Sequence, residues 1–395
     1  MLNVMKKKIL VLAGAVMALG ACADKSGDIS ILSDSDTFVQ STSVNNKIDI
    51  MWMIDTSGSM APYQSNLATN FNAFIADFVT KGYDYNMAVA GTDAWVRETN
   101  YVSTACGNTS NGTAGFTYRS SADCNNTSAN YGQLTHFRDG DIYNPSTPST
   151  RSGNYLITSL MNPTDIINTF GINVKVGIRG DGSERGFQSI RSALRRNENG
   201  SAGYSGETHT ALSGFKRSDA FTAVIIVADE EDGSRKQNNS TYADTTEYTN
   251  SFVSFLDGYT GSTAGNRKYN VSTITVMDIN NCPGHHAGAS EGDRYMAVAG
   301  ATNGIIGSIC DTNFSDNLED IASRIVELST RFKLSREPLP SSIVVKVNSV
   351  EIPQNATNGW TYVVDSGSHY VEFHGTATPQ QGAAIQVDFD PVSLE

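Results

Sequence analysis

The chain has 395 residues, with 28 basic and 41 acidic side chains and a net charge of −13. That balance excludes binding driven by nucleic-acid phosphates or by an anionic membrane surface, and it suits attraction for cations. At roughly 100–200 residues per domain, the length allows one large domain and a small one.

The first residues read as a targeting segment. Lys6, Lys7 and Lys8 precede an apolar run from Ile9 to Leu19 that is too short for a permanent transmembrane helix. The run closes on Leu19-Gly20-Ala21-Cys22. Small residues before a cysteine here resemble the bacterial lipobox, which implies a signal peptide over 1–21, cleavage before Cys22 and lipid on Cys22. An ordinary secretory signal cut near Ala21 or Ala23 is the alternative. The segment carries three positive charges and no acid, so its removal makes the chain three units more negative than −13. Ala23 and Asp24 follow Cys22, and by resemblance to enterobacterial sorting this favours the outer over the inner membrane. Residues 22–46 are rich in Ser, Asp and Asn and read as a polar tether.

Cys106, Cys124, Cys282 and Cys310 remain, an even number in an exported chain, so two disulfides are expected. Of the three pairings, the sequence-local ones, Cys106–Cys124 and Cys282–Cys310, each keep the bond inside one segment. Zinc is the alternative, but the chain has no C-x-x-C pair, and the adjacent His285 and His286 lack ligand spacing.

In chain order, the first ordered element is the run Ile50-Met51-Trp52-Met53-Ile54, without polar alternation, as expected of a strand buried on both faces. It stops at Asp55, with Ser57 and Ser59 at two-residue spacing. Leu67, Phe71, Phe74, Ile75 and Phe78 then follow at helical spacing through Pro62–Val79. An acid and two hydroxyls therefore sit between a buried strand and a helix, where ligands bind in open parallel sheets. Helix capping is the competing reading, because Asp and Ser are good N-caps and an acid there suits the helix dipole. Tyr85–Ala90 is a second strand, and Thr92–Asn154 is an aperiodic insertion holding Cys106 and Cys124. After a short strand at Tyr155–Thr158 and a helix from Thr164 come Gly180-Asp181-Gly182-Ser183-Glu184-Arg185-Gly186 and a helix through Phe187, Ile190 and Leu194. Phe221–Ala228, FTAVIIVA, is the strongest strand signal and ends on Asp229-Glu230-Glu231-Asp232. The three acids after Asp229 read first as a solvated charge run, with cation tuning or a second cation site as alternatives. A helix at Thr245–Leu256, a strand at Ser272–Met277, a helical stretch at Tyr295–Ala299, an edge strand from Ile305 and a helix at Phe314–Leu328 complete an alternating pattern. That pattern is what a doubly wound α/β domain with a mostly parallel sheet requires. Beyond Pro338 and Pro340, short alternating runs over 335–395 read as a small β-sandwich-like module.

Asp55-x-Ser57-x-Ser59 closing the first strand resembles the opening of the metal-ion-dependent adhesion site (MIDAS) of von Willebrand factor A-type (vWA) domains. The likeness covers 47–334 in element order, with the insertion at about 92–154. It implies a Rossmann-like vWA fold in which Ser183 takes the place of the second-loop threonine and Asp229 that of the last aspartate. The serine departs from the family pattern. It keeps the hydroxyl and loses the β-branch that rigidifies it. The implied cation set is Asp55, Ser57, Ser59, Ser183 and Asp229. These are hard oxygen donors suited to Mg2+, with Mn2+ or Ca2+ as alternatives. In the family an open position accepts a carboxylate from a protein partner, and no bond is made or broken. The expectation is therefore a lipid-anchored, cation-dependent protein-binding or adhesion protein, not an enzyme. A periplasmic scaffold with a structural metal is the second reading. A metal-dependent hydrolase is third, since no general base accompanies the motif.

Overall fold

The computed structural model describes residues 47–97, 137–141, 151–178, 180, 184–199, 214–236, 240–380 and 382–392. Cys22, the signal segment, the tether, Cys106, Cys124 and Ser183 lie outside the described residues.

The apolar run after Lys47 forms β1 (Lys47–Ile54), buried along nearly its whole length. Helix α1 (Ala61–Lys81) follows, and Gly82, in the left-handed region at φ 68°, closes it with its N–H directed to the Phe78 and Val79 carbonyls. Then come β2 (Asp84–Gly91), β3 (Ile157–Thr158), α2 (Pro163–Asn173), α3 (Gly186–Asn199) and β4 (Phe221–Ala228). The rest of the main layer is α4 (Thr245–Thr260), β5 (Tyr269–Thr275), α5 (Asp293–Ala301), β6 (Ile306–Ser308) and α6 (Ser315–Thr330). The six strands make one sheet in the order β3-β2-β1-β4-β5-β6, parallel throughout except for the short antiparallel edge strand β3.

Side chains along β1 alternate between two cores. Ile48, Ile50, Trp52 and Ile54 pack with α1, α2 and α6, and Met51 and Met53 pack with α3, α4 and α5. This two-sided burial is why β1 and β4 read as continuous apolar runs. Trp52 anchors the first core, with ring centroids 5.0 Å from both Phe74 and Phe170 in edge-on geometry. The architecture is a mixed α/β, doubly wound layer, consistent with the vWA-like fold that the resemblance implies. Among the described residues, no helix is long and apolar enough to cross a membrane.

Polar clamps hold this layer at both ends. At the amino ends of the strands, the Arg217 guanidinium donates to Asp49 Oδ1 (2.8 Å), Asp84 Oδ1 (2.6 Å) and the Ile48 and Asp84 carbonyls, while its backbone N–H donates to Asp49 Oδ2 (2.7 Å). At the carboxyl ends, Asp93 at the start of the insertion pairs with Arg138 within it, an ion pair of 2.6 Å with both side chains fully buried.

The carboxyl-terminal module holds two three-stranded antiparallel sheets. One is β10 (Trp360–Asp365), β11 (Ser368–Phe373) and β7 (Phe332–Lys333). The other is β12 (Ile385–Asp388), β8 (Val344–Val347) and β9 (Val350–Ile352). Strand β7 follows directly on α6, so the module's first strand precedes Pro338. Trp360 lies in its core, and its indole N–H donates to the Ile352 carbonyl. Arg324 to Glu372 (2.6 Å) and His374 to Glu327 (2.9 Å) fasten the module to α6.

Of the expected disulfides, Cys282–Cys310 is present, with Cα atoms 5.1 Å apart across 28 residues. It ties the loop after β5 to the segment after β6. Loop-closure entropy for that span amounts to about 3.6 kcal/mol in the unfolded chain. The C282S/C310S variant is expected to lose stability of that order in urea denaturation, with the wild type under reducing conditions falling to match it.

Candidate metal centre

The sheet order places a topological switch between β1 and β4, because the chain leaves β1 toward β2 on one side while β4 lies on the other. Crevices at the carboxyl ends of such strands are where ligands bind in this architecture. Asp55 and Asp229 are the first residues beyond these two adjacent parallel strands. The Asp55 N–H donates to the Val227 carbonyl (2.9 Å), which sets the two aspartates side by side, both fully buried.

The loop after β1 is built around Asp55. Its Oδ1 accepts from the Ser57 N–H (2.7 Å), Ser57 Oγ and Ser59 Oγ are 3.0 Å apart, and Oδ2 has no hydrogen-bond donor among the described residues. Helix α1 begins after Met60 and carries no side-chain cap, so Asp55, Ser57 and Ser59 are not holding its amino end. That removes the capping alternative. Gln64 braces the loop from the first turn of α1, donating to the carbonyls of Asp55 and Gly177, each at 3.0 Å. The second loop is tied to the first where the Gly180 N–H donates to the Thr56 carbonyl (2.9 Å). A Cβ at Gly180 would stand 2.0 Å from Thr56 Oγ1, so this approach needs glycine. Ser183 belongs to this second loop and lies outside the described residues. Gly186, at the start of α3, faces Tyr295, whose hydroxyl oxygen would lie 2.5 Å from an added Cβ.

Sequence reasoning missed Glu184 and His286 at this site and held Glu230 only as an alternative. Glu184 is 2 % exposed, and neither of its carboxylate oxygens has a donor among the described residues. Glu230 is half-buried beside it, with the two carboxyls within hydrogen-bonding range. His286 places Nε2 3.3 Å from Asp229 Oδ2 and 3.4 Å from Glu230 Oε1, without hydrogen-bond geometry. His286 was set aside at the sequence level for want of spacing. Its neighbours come from β4, 56 and 57 residues away in the chain, so no local spacing could reveal it.

The electrostatics follow from four acids sharing one largely buried pocket. Burial, reinforced by the Asp229 charge, pushes the Asp55 carboxyl up to about 8 against the pull of the Ser57 N–H. Burial, with Asp55 and Glu230 adding to it, pushes Glu184 up to about 11. Burial raises Asp229 and Glu230 as well, partly offset by Ser59 and His286 at Asp229 and by Glu184 and His286 at Glu230. Buried carboxylates without donors are costly unless a proton or a cation neutralises them. Orphaned oxygens on Asp55, Asp229 and Glu184, together with the Ser57 and Ser59 hydroxyls, form a hard, all-oxygen donor set that fits a divalent cation such as Mg2+, Mn2+ or Ca2+.

The expectation of a solvated charge run after Asp229 is overturned. Asp229 and Asp232 are buried, and Glu230 and Glu231 are half-buried. Asp232 accepts from the Phe187 N–H (3.0 Å), the Ser234 N–H (2.8 Å) and the Tyr248 hydroxyl, and Ser234 Oγ accepts from the Gln188 N–H (3.0 Å). These two residues cap α3 from another loop. Glu231 likewise accepts from the Arg294 N–H in the first turn of α5. An anion at each helix start satisfies donors that the helix itself leaves open. The acids of the run are divided between the shared buried pocket and two helix ends.

No protein-family model matches the sequence, and no curated protein matches it. Among solved structures, proximal thread matrix protein 1 (PTMP1) from the mussel byssus aligns with a TM-score of 0.34 at 11 % identity over 75 % of this chain. A second structure of PTMP1, described as having a zinc occupied MIDAS motif, gives 0.32 and 10 % over the same share. This chain spans 51 % of the length of PTMP1. The pilus adhesin RrgA from Streptococcus pneumoniae gives 0.30 at 8 % identity, over 91 % of this chain and 59 % of that one. Likeness at this level says nothing of what this chain binds.

Proposed function

We propose that this is a vWA-type, lipid-anchored envelope protein that binds a protein partner through a divalent cation held by Asp55, Ser57, Ser59 and Asp229, with Ser183 completing the set. One observation carries the reading. Two aspartates at the carboxyl ends of neighbouring parallel strands are fully buried, side by side, with three of their four oxygens lacking any donor among the described residues. Three hydroxyls and two carboxylates, each giving one oxygen, leave a magnesium-class ion short of its preferred six, which leaves room for water or for a carboxylate from a partner. A cleft of about 420 Å³ beside the loops, lined by Ala61, Gln64 and Ile178 with Lys175 and Asp141 balancing one another, adds an apolar contact for a partner. The chain's own residues orient the ion and exclude water from its inner side. The bound ion would supply the point of attachment, and no bond in the partner is broken. The anchor on Cys22 and an outer-membrane location belong to the same proposal and rest on the lipobox resemblance.

Beads coated with the mature chain are the direct test. Binding to the producing cells or to their envelope fractions should require Mg2+, reverse in EDTA and vanish in D55A. Binding that survives both EDTA and D55A would overturn the proposal. Labelling of intact cells separates a surface adhesin from a periplasmic scaffold.

A further inference from the structure

We propose that Glu327, Glu372 and His374 form a transition-metal site, separate from the pocket at Asp55, in which an ion of the Zn2+ class fastens the carboxyl-terminal module to α6. The residues come from elements that pack together. Glu327 lies on α6, three residues after Arg324 and on the same face. Glu372 and His374 stand two apart at the end of β11 and so share one face of its sheet. On the neighbouring strand β10, Thr361 pairs opposite Glu372. One ligand atom from each of Glu327, Glu372 and His374 lies within 4.8 Å of the other two.

The cluster is short of positive charge. Arg324 Nη1 is shared between Glu372 Oε1 (2.6 Å) and Glu327 Oε2 (3.2 Å), while its Nε donates to the Asn303 carbonyl (2.9 Å). One guanidinium therefore serves two carboxylates. The Glu372 side chain is 4 % exposed, and Arg324 is its one hydrogen-bond donor among the described residues. Asp232, by comparison, accepts from two N–H groups and a tyrosine hydroxyl. A buried carboxylate with so little support is costly unless a further cation shares it.

The free atoms suit a metal. Arg324 takes one oxygen of each carboxylate and leaves Glu327 Oε1 and Glu372 Oε2. Glu327 Oε1 is 2.9 Å from His374 Nδ1, and His374 Nε2 is 2.7 Å from Thr361 Oγ1. A ligating imidazole is held in this way, its second nitrogen fixed by a hydrogen bond that sets ring and tautomer. With Nδ1 on the ion, Nε2 carries the proton and donates to Thr361 Oγ1. Tetrahedral ligands about 2.1 Å from zinc stand about 3.4 Å apart, so His374 and Glu327 need part by only about half an ångström. One imidazole and two carboxylates, with water in the fourth place, fit zinc better than the all-oxygen ions Mg2+ and Ca2+. The His374 and Glu327 side chains are 12 % and 22 % exposed, which gives the ion a way in.

This inference does not rest on the function proposed above. Zn2+ bound per mature chain is measured by equilibrium dialysis with Mg2+ in excess, and melts in EDTA check that each variant is folded. The wild type should bind one ion more than H374A and one more than E327A. The same difference should separate D229N from D229N/H374A, so the outcome is independent of the pocket at Asp55. A wild-type crystal soaked in Zn2+ should show an anomalous peak about 2.1 Å from His374 Nδ1, without recourse to any variant. Equal counts in the wild type and either single variant, or a soaked crystal without that peak, overturn the inference. A count that falls in D229N and not in H374A gives zinc to the other pocket and overturns it too.

Discussion

Asp229→Asn is expected to melt higher than the wild type in EDTA and to gain nothing from Mg2+. The two halves of this result have one cause. Without a cation, Asp229 is a buried acid beside Asp55 with neither oxygen accepting a hydrogen bond among the described residues, and its charge helps push Asp55 up to about 8. Removing that charge relieves the like-charge repulsion between the two acids and spares a buried carboxylate. With the cation, Asp229 is a ligand, and the wild type should gain about 2.7 kcal/mol when Mg2+ reaches a hundredfold excess over its dissociation constant. The neutral amide forgoes that gain. A carboxylate with a purely structural role would behave otherwise, since its loss would lower stability in both conditions. Because the cation must displace protons from these acids, Mg2+ affinity in the wild type should also rise with pH toward 8. Calorimetry in buffers of different ionisation enthalpy would show the released protons. A D229N melt that falls in EDTA and still rises in Mg2+ would remove Asp229 from the site.

The second large effect is expected at the opposite end of the sheet. Arg217→Ala leaves Asp49, which is 2 % exposed, without its counter-charge and without one hydrogen-bond donor or two, depending on how far the Arg217 backbone shifts. Breaking a buried pair by removing one partner costs about 3–5 kcal/mol, readable as a lower urea midpoint at neutral pH. The pH profile separates this cause from lost packing. Burial raises the Asp49 carboxyl to about 6 in the folded chain, opposed in part by Arg217. An acid whose folded pKa lies above its unfolded value contributes most stability when protonated. The wild-type contribution therefore declines as pH rises from about 4 to about 6 and is level above that. In R217A the opposing charge is gone, so the decline should be larger and continue past pH 6. D49N/R217A should recover part of the loss, having no buried charge to strand. A decline in R217A that ended at the same pH as in the wild type would show that Arg217 does not set the Asp49 ionisation.

Much of the frame was legible in the residues. The unbroken apolar runs at Ile50–Ile54 and Phe221–Ala228 are strands covered on both faces, and that demand makes the sheet parallel and the helices two-layered. Cys282–Cys310 was legible from sequence proximity. The sandwich-like module was legible from short alternating runs, although its first strand, Phe332–Lys333, is too short to carry a pattern. The acidic run was misread because charge alone does not say where a side chain points. Asp232 and Glu231 are turned inward by the starts of α3 and α5, which a linear reading cannot place beside them.

At the cation pocket the division is clear. The sequence by itself determined that an acid and two hydroxyls at Asp55, Ser57 and Ser59 close a buried strand, and that another acid, Asp229, closes a second one, because strand and loop signals are local. Only the tertiary structure decided that these two strands are neighbours, that the serines do not cap α1, and that Glu184, Glu230 and His286 converge on the same point. The physical reason is the range of the forces involved. Backbone periodicity acts over a few residues, whereas the charge balance of a largely buried pocket is set by groups brought together from four loops and has no signature along the chain.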